Sequence, residues 1–233
     1  MLNRLRLRFL KALGFDWAKG HTFFARALSP GALVVDLGAN QGDFSTYLAS
    51  RYGACCCLVE PNPELFALLP VLPGGRNFHL AIAAADQPVT FFPAAWSEEG
   101  SLYESGAGAA AVTVPGARFT TFLTSNAITH GALLKMDIEG AERTLFTDTA
   151  DATLARFDQI TIEFHDFLPA LHMERETDAI IRRLEALGFH FMRTANANMD
   201  ALFLHERVRS PALARLYSGL LKLHRRRTHP GRA

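Results

Sequence analysis

Leu33-Val34-Val35-Asp36-Leu37-Gly38-Ala39-Asn40-Gln41-Gly42 opens the stretch that decides the fold, which runs on to Glu60. An apolar run of strand character ends at Asp36, and two glycines four residues apart then turn the chain. Phe44 to Ser50 carry the apolar spacing of a helix, and a second apolar run, Cys55 to Val59, ends at the acid Glu60. The pattern is strand, glycine turn, helix, strand. Its loop suits a nucleotide-like ligand, because glycines let the backbone approach closely and an acid ending the second strand can accept from both ribose hydroxyls.

The spacing of the turn narrows the ligand. Asp36-x-Gly38-x-Asn40-x-Gly42 is not the dinucleotide G-x-G-x-x-G, and no G-x-x-x-x-G-K-[ST] P-loop occurs in the chain. An acid ahead of the first glycine puts negative charge where a phosphate would also bring it. A ligand with cationic groups fits that field better, and S-adenosylmethionine carries a sulfonium and an ammonium. The alternative is a plain turn in which Asp36 is a cap.

With 233 residues and 49% hydrophobic content the chain can bury one large core, so a single main domain is expected. No apolar run approaches the ~18 residues of a membrane span, and no signal-peptide cleavage pattern follows the basic N-terminus. Cys55-Cys56-Cys57 sit side by side without metal spacing, which reads as small buried residues in a reducing cytoplasm. All 23 acids lie between Asp16 and Glu206 with 12 of the 24 basic residues, a net charge of −11 for that segment. An acidic body argues against nucleic acid as a partner. The acid-free ends are basic, and contact with an anionic membrane surface is the functional reading of them, against a docking helix with a solvated tail.

Boundaries are expected at 1–30 for N-terminal accessory helices, 31–206 for the catalytic domain and 207–233 for a basic C-terminal helix and tail. Leu2 to Leu13 form one helical stripe, and Trp17 to Leu28 are read as a second helix. Pro61-Asn62-Pro63 lead into a helix from Glu64 to about Leu69, followed by a third strand over Phe78 to Ala83 and another at Val89 to Phe92. Residues 93–110, rich in Gly, Ala, Ser and Glu, read as a long loop and a substrate lid. Leu133 to Met136 form a buried strand running into Asp137, with Gly140 opening a helix, and the strand from Gln159 ends in Glu163, His165 and Asp166. A helix from Glu174 to Leu187 and strands at Phe189 to Met192 and Ala201 to Leu204 complete the order. Alternating strands and helices indicate a doubly wound parallel sheet, with ligands outside the carboxyl ends of the strands, so Asp36, Glu60, Asp137 and Glu163 to Asp166 should converge on one crevice.

The series Asp36-x-Gly-Ala-Asn-x-Gly42, Glu60-Pro-Asn-Pro63, Lys135-x-Asp-x-Glu-Gly-Ala-Glu142 and Glu163-x-His165 resembles the FkbM-type methyltransferases over Leu33 to Leu204. The resemblance implies a class I (Rossmann-like) doubly wound, mostly parallel seven-stranded sheet. It also implies S-adenosylmethionine as cofactor and a hydroxyl of a sugar or natural product as acceptor. Asp36, Gly38, Ala39, Asn40 and Gly42 would then hold the methionine end, Glu60 with Pro61 the ribose, and Ala81 to Ala83 would lie beside adenine. Asp137 would stand near the methionine end and the acceptor.

A sugar hydroxyl must lose a proton in the transfer, and His165 is the first choice of base because it follows a strand end and titrates near neutrality. A Mg²⁺ on Asp137 and Glu163, with His165 or Asp166 nearby, is the less favoured second use of the same groups. Glu139 and Glu142 read as charges at a helix N-terminus, and Lys135 as a partner for an acid under the crevice. The rival functions are a non-catalytic binding module and a nicotinamide-dependent oxidoreductase.

Overall fold

The computed structural model describes residues 11–93, 111–165, 174–193 and 200–208. Two four-residue strands open it, β1 (Phe15–Ala18) and β2 (His21–Phe24), paired antiparallel with Ala18 opposite His21. The two-residue turn between them has both φ angles positive, +46° at Lys19 and +87° at Gly20, the backbone of the primed hairpin turns. The expected helix over Trp17 to Leu28 is therefore a hairpin, followed by a single 3₁₀ turn at Ala25–Ala27. All four residues of β2 are buried, which a one-sided surface helix would not allow.

The decisive stretch folds as read. β3 (Leu33–Leu37) leads through the glycine loop into α1 (Asp43–Tyr52), and β4 (Cys55–Glu60) returns parallel to β3. α2 is short (Pro63–Phe66), its first amides capped by the Asn62 side chain, which accepts from the N–H of Glu64 at 2.9 Å. The expected third strand divides into β5 (Arg76–His79), which joins the main sheet, and β6 (Ala81–Ile82), which does not. The division comes at Leu80: its N–H donates to Glu60 O, and the next amide, of Ala81, turns away to Pro115 O. β7 (Val89–Phe91) pairs with β8 (Val112–Val114), and β6 with β9 (Gly116–Ala117).

α3 (Phe119–Ser125) precedes β10 (Leu133–Met136); α4 (Glu142–Asp148) and α5 (Asp151–Leu154) precede β11 (Gln159–Ile162); α6 (Glu174–Ala186) precedes β12 (Phe189–Arg193) and β13 (Ala201–His205). The seven-stranded sheet has the order β12-β13-β11-β10-β3-β4-β5. Pairings from β11 through β10, β3 and β4 to β5 are parallel, whereas β13 is antiparallel to both its neighbours. Six strands thus run one way and β13 the other. The helix read over residues 2–13, the loop over 93–110, Asp166 and the C-terminal helix from Pro211 lie wholly or mostly outside the described residues.

Both faces of the sheet are covered, which explains why its strands read as continuous apolar runs. Val35, Leu37, Cys57, Val59, Leu134 and Met136 pack on one side with Phe119, Phe122, Leu145 and Phe146. Val34, Cys56, Leu58 and Leu133 pack on the other with Phe44 and Leu48 of α1 and Phe23 of the hairpin. Burial pushes the Cys56 thiol up to about 12 and raises Cys57 as well, so both act as small apolar residues.

Polar clasps fix the hairpin to the far end of the chain. Asp200 accepts from the Thr22 N–H at 2.8 Å and from its hydroxyl at 2.6 Å. The Gln159 side chain accepts from Phe24 N–H at 2.7 Å and donates to Phe24 O at 3.2 Å. Asp16 receives the hydroxyls of Tyr47 and Tyr52 at 2.7 and 2.6 Å, tying β1 to α1.

Candidate active site

A cleft opens at the carboxyl ends of β3, β4 and β10, where the strands hand over to loops. Gly38, Asn40, Glu60, Pro61 and Asp137 line it, together with Ala81, Ile82, Phe91 and Glu139. The loop after β3 is shaped by close approach. A Cβ on Gly38 (φ +73°) would lie 1.7 Å from the Asp137 carbonyl oxygen, so only glycine lets the ends of β3 and β10 meet. Asn40 sits at φ +53°, a left-handed conformation that asparagine tolerates better than most residues.

Glu60 is the anchor of this wall. Its carboxylate is 4% exposed and accepts the Asn40 N–H on Oε2 and the Asn62 N–H on Oε1, each at 2.8 Å. Burial pushes its pKa up to about 7, against the pull of those two amides and of Lys135.

Asp36, Ala39 and Gly42 lie below the surface rather than on it. Asp36 is fully buried: one carboxylate oxygen accepts from Ser45 Oγ at 2.7 Å and the other lies 3.2 Å from the Lys135 ammonium. Asp36 and Lys135 are register partners on adjacent strands, so their side chains project from the same face. Lys135 also donates to the carbonyls of Leu37 and Gly38, and approaches Asp137 Oδ2 at 3.7 Å. The sequence reading of Lys135 as the partner of an acid under the crevice matches this arrangement.

Asp137 presents its carboxylate to the cleft. Burial would raise its pKa, but Lys135, His21 and His165 outweigh that and hold it well below the usual carboxylate range. His165 lies behind it, 3% exposed, with Nδ1 2.9 Å from Glu142 and Nε2 3.0 Å from Glu139. Burial alone would lower the imidazole, yet these two hydrogen-bonded carboxylates raise it to about 11. A carboxylate at each ring nitrogen favours the imidazolium, which donates from both nitrogens and in that form has no lone pair for an acceptor's proton. Glu142 is fully buried and Glu139 lines the cleft at φ +53°, so both do more than place charge at a helix terminus.

Sequence reasoning missed His21. The hairpin brings it to 3.8 Å from Asp137 Oδ2, and Glu163 completes a cluster with these two. No spacing in the sequence links residue 21 to residues 137 and 163; a hairpin reading of Lys19-Gly20 would have been the only available signal.

The methyltransferase FkbM domain matches residues 36–191, more than half of the chain. The chain belongs to the FkbM methyltransferase family. Family membership makes it an S-adenosylmethionine-dependent methyltransferase in class, and the matched span begins at Asp36 of the glycine loop and includes Glu60, Asp137 and His165. A comparison with curated proteins finds no match. Among solved structures, this family member is similar to a TehB-like SAM-dependent methyltransferase from Corynebacterium glutamicum. Identity there is 16%, over 88% of this chain and 96% of that one, with a TM-score of 0.40. It is also similar to the Methanococcus jannaschii fibrillarin pre-rRNA processing protein, with 10% identity over 85% and 72% of the two chains and a TM-score of 0.46. A precorrin-6y C5,15-methyltransferase from Geobacter metallireducens gives 9% identity over 77% and 84%, with a TM-score of 0.37. Among the described residues, no helix is long and apolar enough to cross a membrane.

Proposed function

We propose that this protein transfers the methyl group of S-adenosylmethionine to a hydroxyl of a saccharide or natural-product acceptor. The observation that carries the reading is the Glu60 carboxylate, buried on the cleft wall and aligned by the amides of Asn40 and Asn62. A carboxylate so held is suited to accept from the two ribose hydroxyls, and the apolar Ala81, Ile82 and Phe91 beside it suit an adenine ring. When bound, the cofactor supplies an electrophilic methyl on a good leaving group.

What remains for the protein is alignment, exclusion of water and removal of one proton. Asp137 and Glu139 are the acids that line the cleft beside the loop at the end of β10, and the acceptor's proton passes to one of them. His165 fits a positioning role: its two donor nitrogens fix Glu139 and Glu142, and its charge supports the Asp137 carboxylate. The mixed polar and apolar lining suits a neutral, hydroxyl-rich acceptor, and among the described residues it offers nothing cationic for a polyanion such as nucleic acid.

Calorimetric titration with S-adenosylhomocysteine tests the reading, with NADH as the control ligand. Saturable binding that Glu60→Ala weakens at least tenfold, with NADH silent, is the expected result, since the loss of a paired charged hydrogen bond is worth about 1.5–3 kcal/mol. Binding of NADH in place of S-adenosylhomocysteine would reverse it. Radiolabelled methyl transfer to a panel of glycosides and polyketide alcohols then identifies the acceptor class.

A further inference from the structure

Beside Asp137 the fold assembles a set of side chains for which methyl transfer assigns no role. We propose that His21, Asp137 and Glu163 form a binding site for a divalent first-row cation at the foot of the cleft. One ligand atom from each of the three lies within 4.8 Å of those of the other two, a separation that a single ion can bridge.

Two independent features of the side chains point to a cation. His21 is fully buried, and its Nε2 makes no hydrogen bond, facing Asp137 Oδ2 at 3.8 Å. Its other nitrogen, Nδ1, faces the Thr161 hydroxyl at 3.4 Å; when Nδ1–H donates there, the Nε2 lone pair points into the cluster. A buried ring nitrogen without a hydrogen bond is costly, and a metal ion relieves that cost. Glu163 follows β11 and lies over the hairpin turn, its Oε2 3.9 Å from where a Cβ on Gly20 would stand. No hydrogen bond or ion pair joins its carboxylate to any described residue.

The surrounding charge favours the same occupant. Asp36, Asp137, Glu139, Glu142 and Glu163 crowd this corner against two cationic groups, Lys135 and the His165 ring. Asp137, Glu139 and His165 also come within ligand distance of one another. In that set both nitrogens of His165 are already engaged by Glu139 and Glu142. His21 is the imidazole with a nitrogen to spare.

One imidazole and two carboxylates are too rich in nitrogen for a Ca²⁺ or Mg²⁺ cage and suit Mn²⁺, Fe²⁺, Co²⁺ or Zn²⁺. Because Asp137 also lines the cleft, the ion would stand where an acceptor hydroxyl arrives, and three protein ligands leave room for that oxygen or for water. The site stands on three side chains alone and does not rest on the methyl-transfer reading.

The test is Mn²⁺ binding by the purified, chelator-treated protein, followed by calorimetry and by electron paramagnetic resonance. The expected result is one saturable site with ¹⁴N coupling from an imidazole. His21→Gln should abolish the nitrogen coupling and weaken binding by roughly tenfold or more, and Glu163→Gln should weaken it similarly. Glu163 is partly exposed, so its variant stays informative if His21→Gln fails to fold by circular dichroism. Glu139→Gln removes a neighbouring charge and no ligand, so it should weaken binding less than either His21→Gln or Glu163→Gln and leave the nitrogen coupling intact. Absence of a saturable site, nitrogen coupling that survives in folded His21→Gln, or binding that responds to Glu139→Gln and not to Glu163→Gln would overturn the assignment.

Discussion

The Asn40 amide and the Glu60 carboxylate are joined by a 2.8 Å hydrogen bond, which couples the glycine loop after β3 to the last residue of β4. Loop position and the Glu60 carboxylate, the proposed ribose anchor, are therefore set together. A change at either residue should act on the other through this contact, and cofactor affinity is the property in which it will appear.

Proton linkage at Glu60 is the first consequence. Its carboxyl is raised by burial from an ordinary 4.5 to about 7, so the apo protein holds a proton there that the unfolded chain releases above pH 4.5. The sign follows: this group's contribution to stability is complete below pH 4.5 and is lost as pH rises to about 7 and beyond. Cofactor binding runs the opposite way, because ribose hydroxyls need the ionised form as acceptor. S-adenosylhomocysteine should bind roughly tenfold more tightly at pH 8 than at pH 6, with proton release on binding, while Glu60→Gln should bind weakly with no such slope. Calorimetry in buffers of different ionisation enthalpy measures both, and a pH-independent wild-type affinity would refute the coupling.

Gly38→Ala should be among the most damaging small substitutions in the chain. The added methyl meets backbone, 1.7 Å from Asp137 O and 2.9 Å from Asp137 C, and the φ of +73° is itself unfavourable to alanine. A loss of at least about 2 kcal/mol of stability is expected, together with loss of cofactor binding. Urea unfolding of the variant gives the number; a stability within about 0.5 kcal/mol of wild type would mean that the two loops part without cost.

Lys135 and Asp36 form a pair that is 4% and 0% exposed. Lys135→Met strands the Asp36 carboxylate in the interior and should cost about 3–5 kcal/mol. Asp36→Leu combined with Lys135→Met removes both charges and should recover much of that stability without restoring cofactor binding, since the loop carbonyls of Leu37 and Gly38 lose their donor. A double-mutant cycle in urea, run beside S-adenosylhomocysteine calorimetry, separates the two effects.

Asp200→Ala removes two hydrogen bonds from Thr22 and leaves a buried amide unpaired. About 1–3 kcal/mol should be lost. Faster hydrogen exchange should follow across residues 15–24 before the central strands respond. Uniform acceleration over the whole sheet would instead mark the hairpin as part of the global folding unit.

The central βαβ unit was legible because its information is local. Val34 and Val35, then Leu58 and Val59, are buried on both faces and read as unbroken apolar runs, and Gly38 and Gly42 mark the turn between them. Strand ends placed Glu60 and Asp137 at one crevice, and both line the cleft. The hairpin was not legible: four residues per strand cannot distinguish a period of two from one of 3.6, and Lys19 is an unusual choice for the first turn position. The burial of its polar residues is explained by distant partners, Asp16 by Tyr47 and Tyr52 and Thr22 by Asp200. His165 shows the same limit at the site. A histidine after a strand end suggested a base, whereas the turn carrying Glu139 and Glu142 folds over it and sets a carboxylate against each ring nitrogen, which no local spacing foretold.

The clasp between Thr22 and Asp200 spans 178 positions of sequence. On a ribosome the hairpin is made early and can meet α1 and Gln159 as they emerge, yet its clasp to Asp200 cannot close until β13 has left the exit tunnel, so His21 is fastened late. Completion of the cleft is in this way a report on completion of the sheet: a chain arrested before Asp200 would carry the glycine loop and Glu60 but would lack the fastening that seats His21 beside Asp137.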